Sequence, residues 1–385
     1  MSKLVLAGVV AAALAFGVSA AAASRSGGTW STYIVTLRPA TGDAHAIASE
    51  MAGRYGADLE HVYTRALSGF ALRLPDSFAS RLASDARVLS VEPDGVVTAD
   101  TTQTGATWGI DRIDQRARPL SGTYSYTATG AGVTAYIIDT GIRFTHSQFG
   151  GRAVTGYDAV TSGGNAADCN GHGTHVSGTV GGASYGVAKS VRLVAVRVLD
   201  CGGSGSTSGV IAGIDWVTAN HQAGQAAVAN MSLGGGASTA LDTAVKNSIA
   251  DGVAYAIAAG NGDSSGRARP ACNYSPARVP EAMTIGATDN TDTKASWSNY
   301  GTCVDWFAPG VSITSSWYTS DTATNTISGT SMATPHTAGV AALYLQLHPA
   351  ETPQQVRNAL AANATSGVVV SPGSGSPNLL LFENY

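Results

Sequence analysis

Three short segments carry residue types suited to acyl-transfer chemistry. In Gly329-Thr330-Ser331-Met332-Ala333-Thr334-Pro335-His336, a glycine-bearing turn runs into a long apolar stretch. A serine at such a junction projects its Oγ from a tight turn. Its own N–H is one of the unpaired donors at a helix N-terminus, aimed where negative charge develops on an attacked carbonyl oxygen. Serine is a weak nucleophile at neutral pH, so a base and an orienting carboxylate must accompany it. The chain supplies both. Asp139 closes the apolar run Val133-Thr134-Ala135-Tyr136-Ile137-Ile138, and His172 sits in Asn170-Gly171-His172-Gly173-Thr174-His175.

These residues need a scaffold, and the chain from about Trp108 onward supplies one. Near-continuous Val, Ile, Ala and Leu runs at 133–138, 191–199, 227–233, 253–259 and 283–287 have the character of buried parallel strands. Helical stretches such as 208–219 and 239–249 lie between them. Alternation of this kind predicts right-handed crossovers and an α/β, doubly wound, mostly parallel sheet covered on both faces. Ligands on such sheets bind beyond the carboxyl ends of the strands. Asp139, Leu233 and Gly260 fall at such ends. Thr352-Pro353-Gln354-Gln355 has the cap and first-turn proline that open a last helix.

The chain order Asp139, His172, Ser331 is that of subtilisin, whereas other folds carry the same trio in other orders. Together the three segments resemble the subtilisin-like serine proteases, in their proteinase K and aqualysin branch, over nearly the whole chain from Trp108. The resemblance implies that Ser331 attacks the scissile carbonyl, that His172 is the base, and that Asp139 orients it. His175 and His336 are then structural. It implies that Asn261, in Ala258-Ala259-Gly260-Asn261-Gly262, supplies an oxyanion donor, while Asn230 within a strand serves packing or backbone hydrogen bonding. Gly203, Ser204 and Gly205, with Ser232, Leu233, Gly234 and Gly235, resemble the two substrate-flanking segments. Ala258, Ala259 and Gly260 form one pocket wall.

Four cysteines allow three pairings. The resemblance implies Cys169–Cys201 and Cys272–Cys303, and export favours oxidation. Some proteinase K-like members carry a free cysteine just after the catalytic histidine; here Val176 stands there. The resemblance also implies structural calcium. One site would use Asp305 with the backbone oxygens of Pro280 and Ala282, a second Asp111, Asp114 and Gln115.

The first hundred residues differ in character. Lys3, the apolar stretch 4–16 and the small residues 19–23 form a secretory signal, over 1–24. Residues 25–101 alternate strands at 33–37, 70–74 and 88–92 with helices at 45–55 and 77–84. A β-α-β-β-α-β unit of this size suits a small α+β ferredoxin-like domain. It resembles the inhibitory propeptide of many subtilases. The polar link 100–105 is the expected maturation region, which leaves 102–385 as the peptidase domain.

The chain has 385 residues, 47 of them glycine, and 12% are charged, against about 25% in an ordinary soluble domain. A net charge of -4 leaves no footprint for nucleic acid. No stretch beyond the signal is long and apolar enough for a membrane span. The expectation is therefore a secreted serine endopeptidase of broad specificity, acting as a monomer on polypeptides and held by its own propeptide. The rival is a catalytically silent binding protein on the same fold, which would lack a triad or oxyanion residue; all four are present. An ester hydrolase of lipase type would show Gly-x-Ser-x-Gly, which Ser331 lacks.

Overall fold

The computed structural model of the chain describes residues 29–95 and 101–385. The expected signal, 1–24, lies outside them, as do residues 96–100. The chain divides into two compact units, one up to Val97 and one from Thr98.

The first unit is a four-stranded antiparallel sheet backed by helices. Its strands are Trp30–Leu37, Asp58–Tyr63, Gly69–Pro75 and Val88–Pro93, in the spatial order second, third, first, fourth. The helix Ala44–Tyr55 starts where the Asp43 side chain accepts the His45 N–H, and it stops at Gly56 in the left-handed region. It buries Ala44, Ile47, Ala48 and Met51, one stripe at helical spacing, against Val35, Phe70 and Leu72. The expected β-α-β-β-α-β order is present. The strand Asp58–Tyr63 had no apolar signature because four of its six side chains are exposed.

The second unit is built on a nine-stranded sheet. From one edge the strands run Ala153–Asp158, Arg192–Arg197, Thr134–Asp139, Ala227–Met231, Ala254–Ala258, Met283–Thr288, Trp306–Pro309, Leu379–Leu380 and Thr365–Ser366. All neighbours pair in parallel except the last two. Alternate side chains feed two separate cores. Ala135 and Ile137 pack with Val176, Val180 and the helix Thr330–Leu347, while Tyr136 and Ile138 pack with Val210, Ile214, Val217 and Val245 from two helices on the other face. Each buried Val or Ile among them contributes about 1.5–3 kcal/mol. The doubly covered sheet explains why the strands are apolar throughout.

Two features depart from the sequence expectation. The apolar runs 191–199, 227–233 and 253–259 outlast their strands, Arg192–Arg197, Ala227–Met231 and Ala254–Ala258. Their last residues leave the ladder at the carboxyl edge. The strand Ala153–Asp158 was hidden by Gly156, where an added Cβ would lie 2.6 Å from Val194 and 2.9 Å from Trp216. Among the described residues no helix is long and apolar enough to cross a membrane.

Candidate active site

Asp139 is the last residue of its strand and is fully buried. Its Oδ1 accepts the Thr140 N–H at 2.7 Å. His172 opens the helix His172–Gly181, entered through Gly171 at φ +113°. A side chain at Gly171 would be strained there, and its Cβ would lie 2.5 Å from the Trp317 ring. The His172 Nδ1 lies 2.8 and 3.0 Å from the two Asp139 oxygens. A carboxylate only accepts, so Nδ1 carries the proton and Nε2 is left as a base. Burial opposes the imidazolium, but the charge and hydrogen bond of Asp139, with the charge of Asp168, outweigh it. His172 therefore titrates above the ordinary imidazole range.

Ser331 is the second residue of the helix Thr330–Leu347. Pro335 lies inside this helix and has no N–H for the Ser331 carbonyl. The Ser232 hydroxyl fills the gap, donating to that carbonyl at 2.8 Å. In return the Ser331 hydroxyl donates to the Ser232 carbonyl at 3.1 Å. The two serines thus clasp each other. Asn230 supports the clasp, giving an amide proton to the Ser232 Oγ at 2.9 Å.

The Asn261 Oδ1 accepts both the N–H and the hydroxyl of Thr330, each at 2.8 Å. Its Nδ2 is thereby turned the other way. A Cβ built on Gly329 would lie 3.5 Å from Asn261 Nδ2, from Ser331 N and from Met332 Sδ. Two donors therefore border one small space beside the nucleophile, which suits an oxyanion. Gly260, at φ +99°, lets the loop approach Asn299, which donates to the Ala259 carbonyl at 2.9 Å and accepts the Gly262 N–H at 3.1 Å.

Two adjoining cavities flank these groups. The larger, ≈ 530 Å³, is lined by His172 and by Gly203, Ser204, Gly205, Ser232, Leu233, Gly234 and Gly235. The smaller, ≈ 300 Å³, is bounded by Ala258, Ala259, Gly260, Asn261, Ser331 and Tyr274, and no charged residue lines it. Gly235 also pairs with Ser275 in a short antiparallel ladder. His175 and His336 are fully buried and donate to the carbonyls of Ile313 and Met332, at 3.0 and 2.9 Å. Burial lowers both to about 4, so they are neutral near pH 7.

Cys169 is bonded to Cys201 and Cys272 to Cys303. The first bridge ties the turn before His172 to the segment leading to Gly203. Among the described residues no three His, Cys, Asp or Glu side chains group as metal ligands. Asp305 gives one oxygen to the Thr284 N–H, at 2.7 Å, and the other to the Arg357 guanidinium. A cation held there with Pro280 and Ala282 would have to displace Arg357, so this set does not fit as it stands. The second set fits better. Asp111 and Gln115 both accept from the Ser121 N–H, at 3.1 and 3.0 Å, while Asp114 Oδ1 is buried with no partner.

Thr330 and Asn299 were not singled out by sequence, and Ser232 was read only as a substrate-flanking residue and not as a partner of Ser331, because the groups they bond lie 40 to 99 residues away along the chain. Residues 130–379 match the Subtilase family, and residues 32–100 match Peptidase inhibitor I9. An extracellular serine proteinase of Thermus sp. (strain Rt41A) is 62% identical over 86% of this chain and 80% of its own. Alkaline serine exoprotease A of Vibrio alginolyticus is 53% identical, over 86% of this chain and 62% of its own. The crystal structure of a cold adapted subtilisin-like serine proteinase superposes with a TM-score of 0.70 at 54% identity, covering 73% of this chain and all of that one. With the parallel sheet and the Asp139–His172 pair at its carboxyl edge, these matches make the chain a serine endopeptidase of the subtilase family.

Proposed function

We propose that this protease cleaves peptide bonds through an acyl-enzyme on Ser331. His172 takes the serine proton as the hydroxyl attacks the carbonyl carbon, then gives it to the leaving amine. Water enters by the reverse sequence, with His172 again the base, and releases the acyl group. Asp139 keeps Nδ1 protonated and stabilises the imidazolium. The Asn261 amide and the Ser331 N–H take the developing oxyanion. The observation that carries this assignment is the Asp139 carboxylate on His172 Nδ1, beside the cleft that Ser331 borders. The substrate lies extended between 203–205 and 232–235, adding main-chain hydrogen bonds to those segments.

The chain is made with a signal over 1–24 and an inhibitory segment over 25–101, and the active protease begins near 102. Export is supported by the Thermus relative, whose name is extracellular serine proteinase, and the inhibitory role by the match to Peptidase inhibitor I9. Calcium is proposed as a structural cofactor at Asp111, Asp114 and Gln115, where it would satisfy the buried Asp114 oxygen. None of the residues assigned to the chemistry would hold it.

Ser331→Ala tests the assignment. The variant should stay uncleaved at the 25–101 boundary and show no casein hydrolysis above trace levels. The parent should mature and lose activity to a serine-directed phosphonylating inhibitor. A processed, active Ser331→Ala protein would sink the mechanism.

A further inference from the structure

The Asp139–His172 pair is braced by a second carboxylate. Asp168 lies four residues before His172 and is part-buried. Its Oδ1 accepts the Thr140 hydroxyl at 2.9 Å and the N–H groups of Asn170 and Gly171 at 2.9 and 3.0 Å. Its Oδ2 accepts the N–H of Thr174 at 2.9 Å and its hydroxyl at 2.5 Å. Thr140 directly follows Asp139, and its Oγ1 accepts the Gly173 N–H at 2.8 Å. One side chain therefore bonds the end of the Asp139 strand, the turn before His172 and the first turn of the His172 helix.

Five donors need both oxygens of a carboxylate, whereas an amide offers one acceptor oxygen. The N-cap residue Gly171 has no side chain to offer, so the first N–H groups of the helix go to Asn170 Oδ1, at 3.2 Å, to Thr140 Oγ1 and to Asp168 Oδ2. The contact it braces is tight: a Cβ on Gly173 would lie 2.1 Å from the Gly141 carbonyl oxygen. A small shift of helix against strand end would move the imidazole relative to Asp139 and to the nucleophile together.

We propose that Asp168 is a positioning residue for the hydrolysis, locking the His172 helix to the Asp139 strand end through Thr140 and so holding the imidazole in line for proton transfer. This rests on His172 being the base. The ionisable groups acting on His172 are Asp139 from the strand, Asp168 from the preceding turn and His175 from its own helix. His175 stays neutral over the acid limb of activity, since burial lowers it to about 4. Removing the Asp168 charge therefore withdraws support from the imidazolium and should move the acid limb to lower pH.

The test measures kcat, KM and the pH profile of kcat/KM on a peptide amide for mature parent, Asp168→Asn and Thr140→Val enzymes. Asp168→Asn removes the charge and one acceptor at nearly constant volume. Its kcat should fall roughly 10- to 100-fold, the scale of a misplaced catalytic group, with KM changed less than about twofold. Its acid limb should lie at lower pH. Thr140→Val cuts the link but keeps the charge, so kcat should fall while the acid limb stays. An Asp168→Asn enzyme with parental kcat and an unmoved acid limb, altered only in melting temperature, would make Asp168 a plain helix cap and overturn the proposal. If Asp168→Asn does not fold, Thr140→Val decides, and parental kcat there overturns it. His172→Ala is assayed in parallel. Parental activity in that variant would defeat the assignment of the base itself, whatever Asp168 does.

Discussion

His172 can act as a base only when Nε2 is free of a proton, so activity is lost as pH falls through its pKa in the folded enzyme. Burial lowers that pKa, but Asp139 and Asp168 raise it by more, and the net shift is upward. The acid limb of kcat/KM should accordingly have its midpoint above about 6.5, the ordinary imidazole value. A rate profile on a small peptide amide checks this, and a midpoint below 6 would contradict it. Met332 is almost wholly buried, with its sulfur beside the space shared by the two proposed oxyanion donors. Oxidation adds an oxygen and polarity at that point. Dilute peroxide should lower turnover in the parent, whereas Met332→Ala should be resistant; equal sensitivity would remove Met332 from the account. Asp139, His172 and Ser331 were legible in the sequence because each sits in a short motif whose meaning is local. The hydrogen bonds made by Ser232, Thr330, Asn299 and Asp168 were not. A serine that supplies a carbonyl with the proton missing from Pro335, 99 residues from its partner, has no local signature.

At the scale of elements, the apolar runs announced the central strands, and their ends were misjudged for a physical reason. A buried residue past the last ladder bond is as apolar as one within it, so hydrophobicity alone cannot mark where the ladder stops. Those overrun residues include Leu199, Leu233 and Ala259, which line the two cavities. The smaller cavity is walled by Leu233 to Gly236 and Ala258 to Gly262, with Tyr274 and Ala277, and offers no acid to pair with a substrate Lys or Arg. Burying such a cation unpaired is costly. Discrimination among apolar side chains is modest, at about 1–3 kcal/mol per methylene. Cleavage should therefore follow Phe, Tyr, Leu and Ala broadly, as read from a peptide library. A dominant preference for Arg or Lys would refute the pocket assignment.

Across the whole molecule, chemistry and durability draw on different groups. The residues assigned to the chemistry include no metal ligand and no thiol, while the disulfides close loops spanning 32 and 31 residues. On the chain-entropy model each such closure contributes roughly 3–4 kcal/mol, less if strained. EDTA added in the cold should leave initial rates nearly unchanged. The half-life on heating should shorten with EDTA, and shorten further with reductant, because local opening exposes the protease to self-digestion. Immediate, calcium-reversible loss of initial rate in the cold would point to a metal in the chemistry.

On the proposed mechanism, the reciprocal bonds between Ser232 and Ser331 imply an order of events. The Ser232 carbonyl accepts the Ser331 hydroxyl at 3.1 Å, and it belongs to the segment proposed to pair with an extended substrate. A peptide N–H arriving at that carbonyl competes with the serine hydroxyl for it. Once displaced, the hydroxyl would be free to turn to His172 Nε2, the proposed base. On the proposed mechanism, seating the substrate and freeing the nucleophile would then be one act.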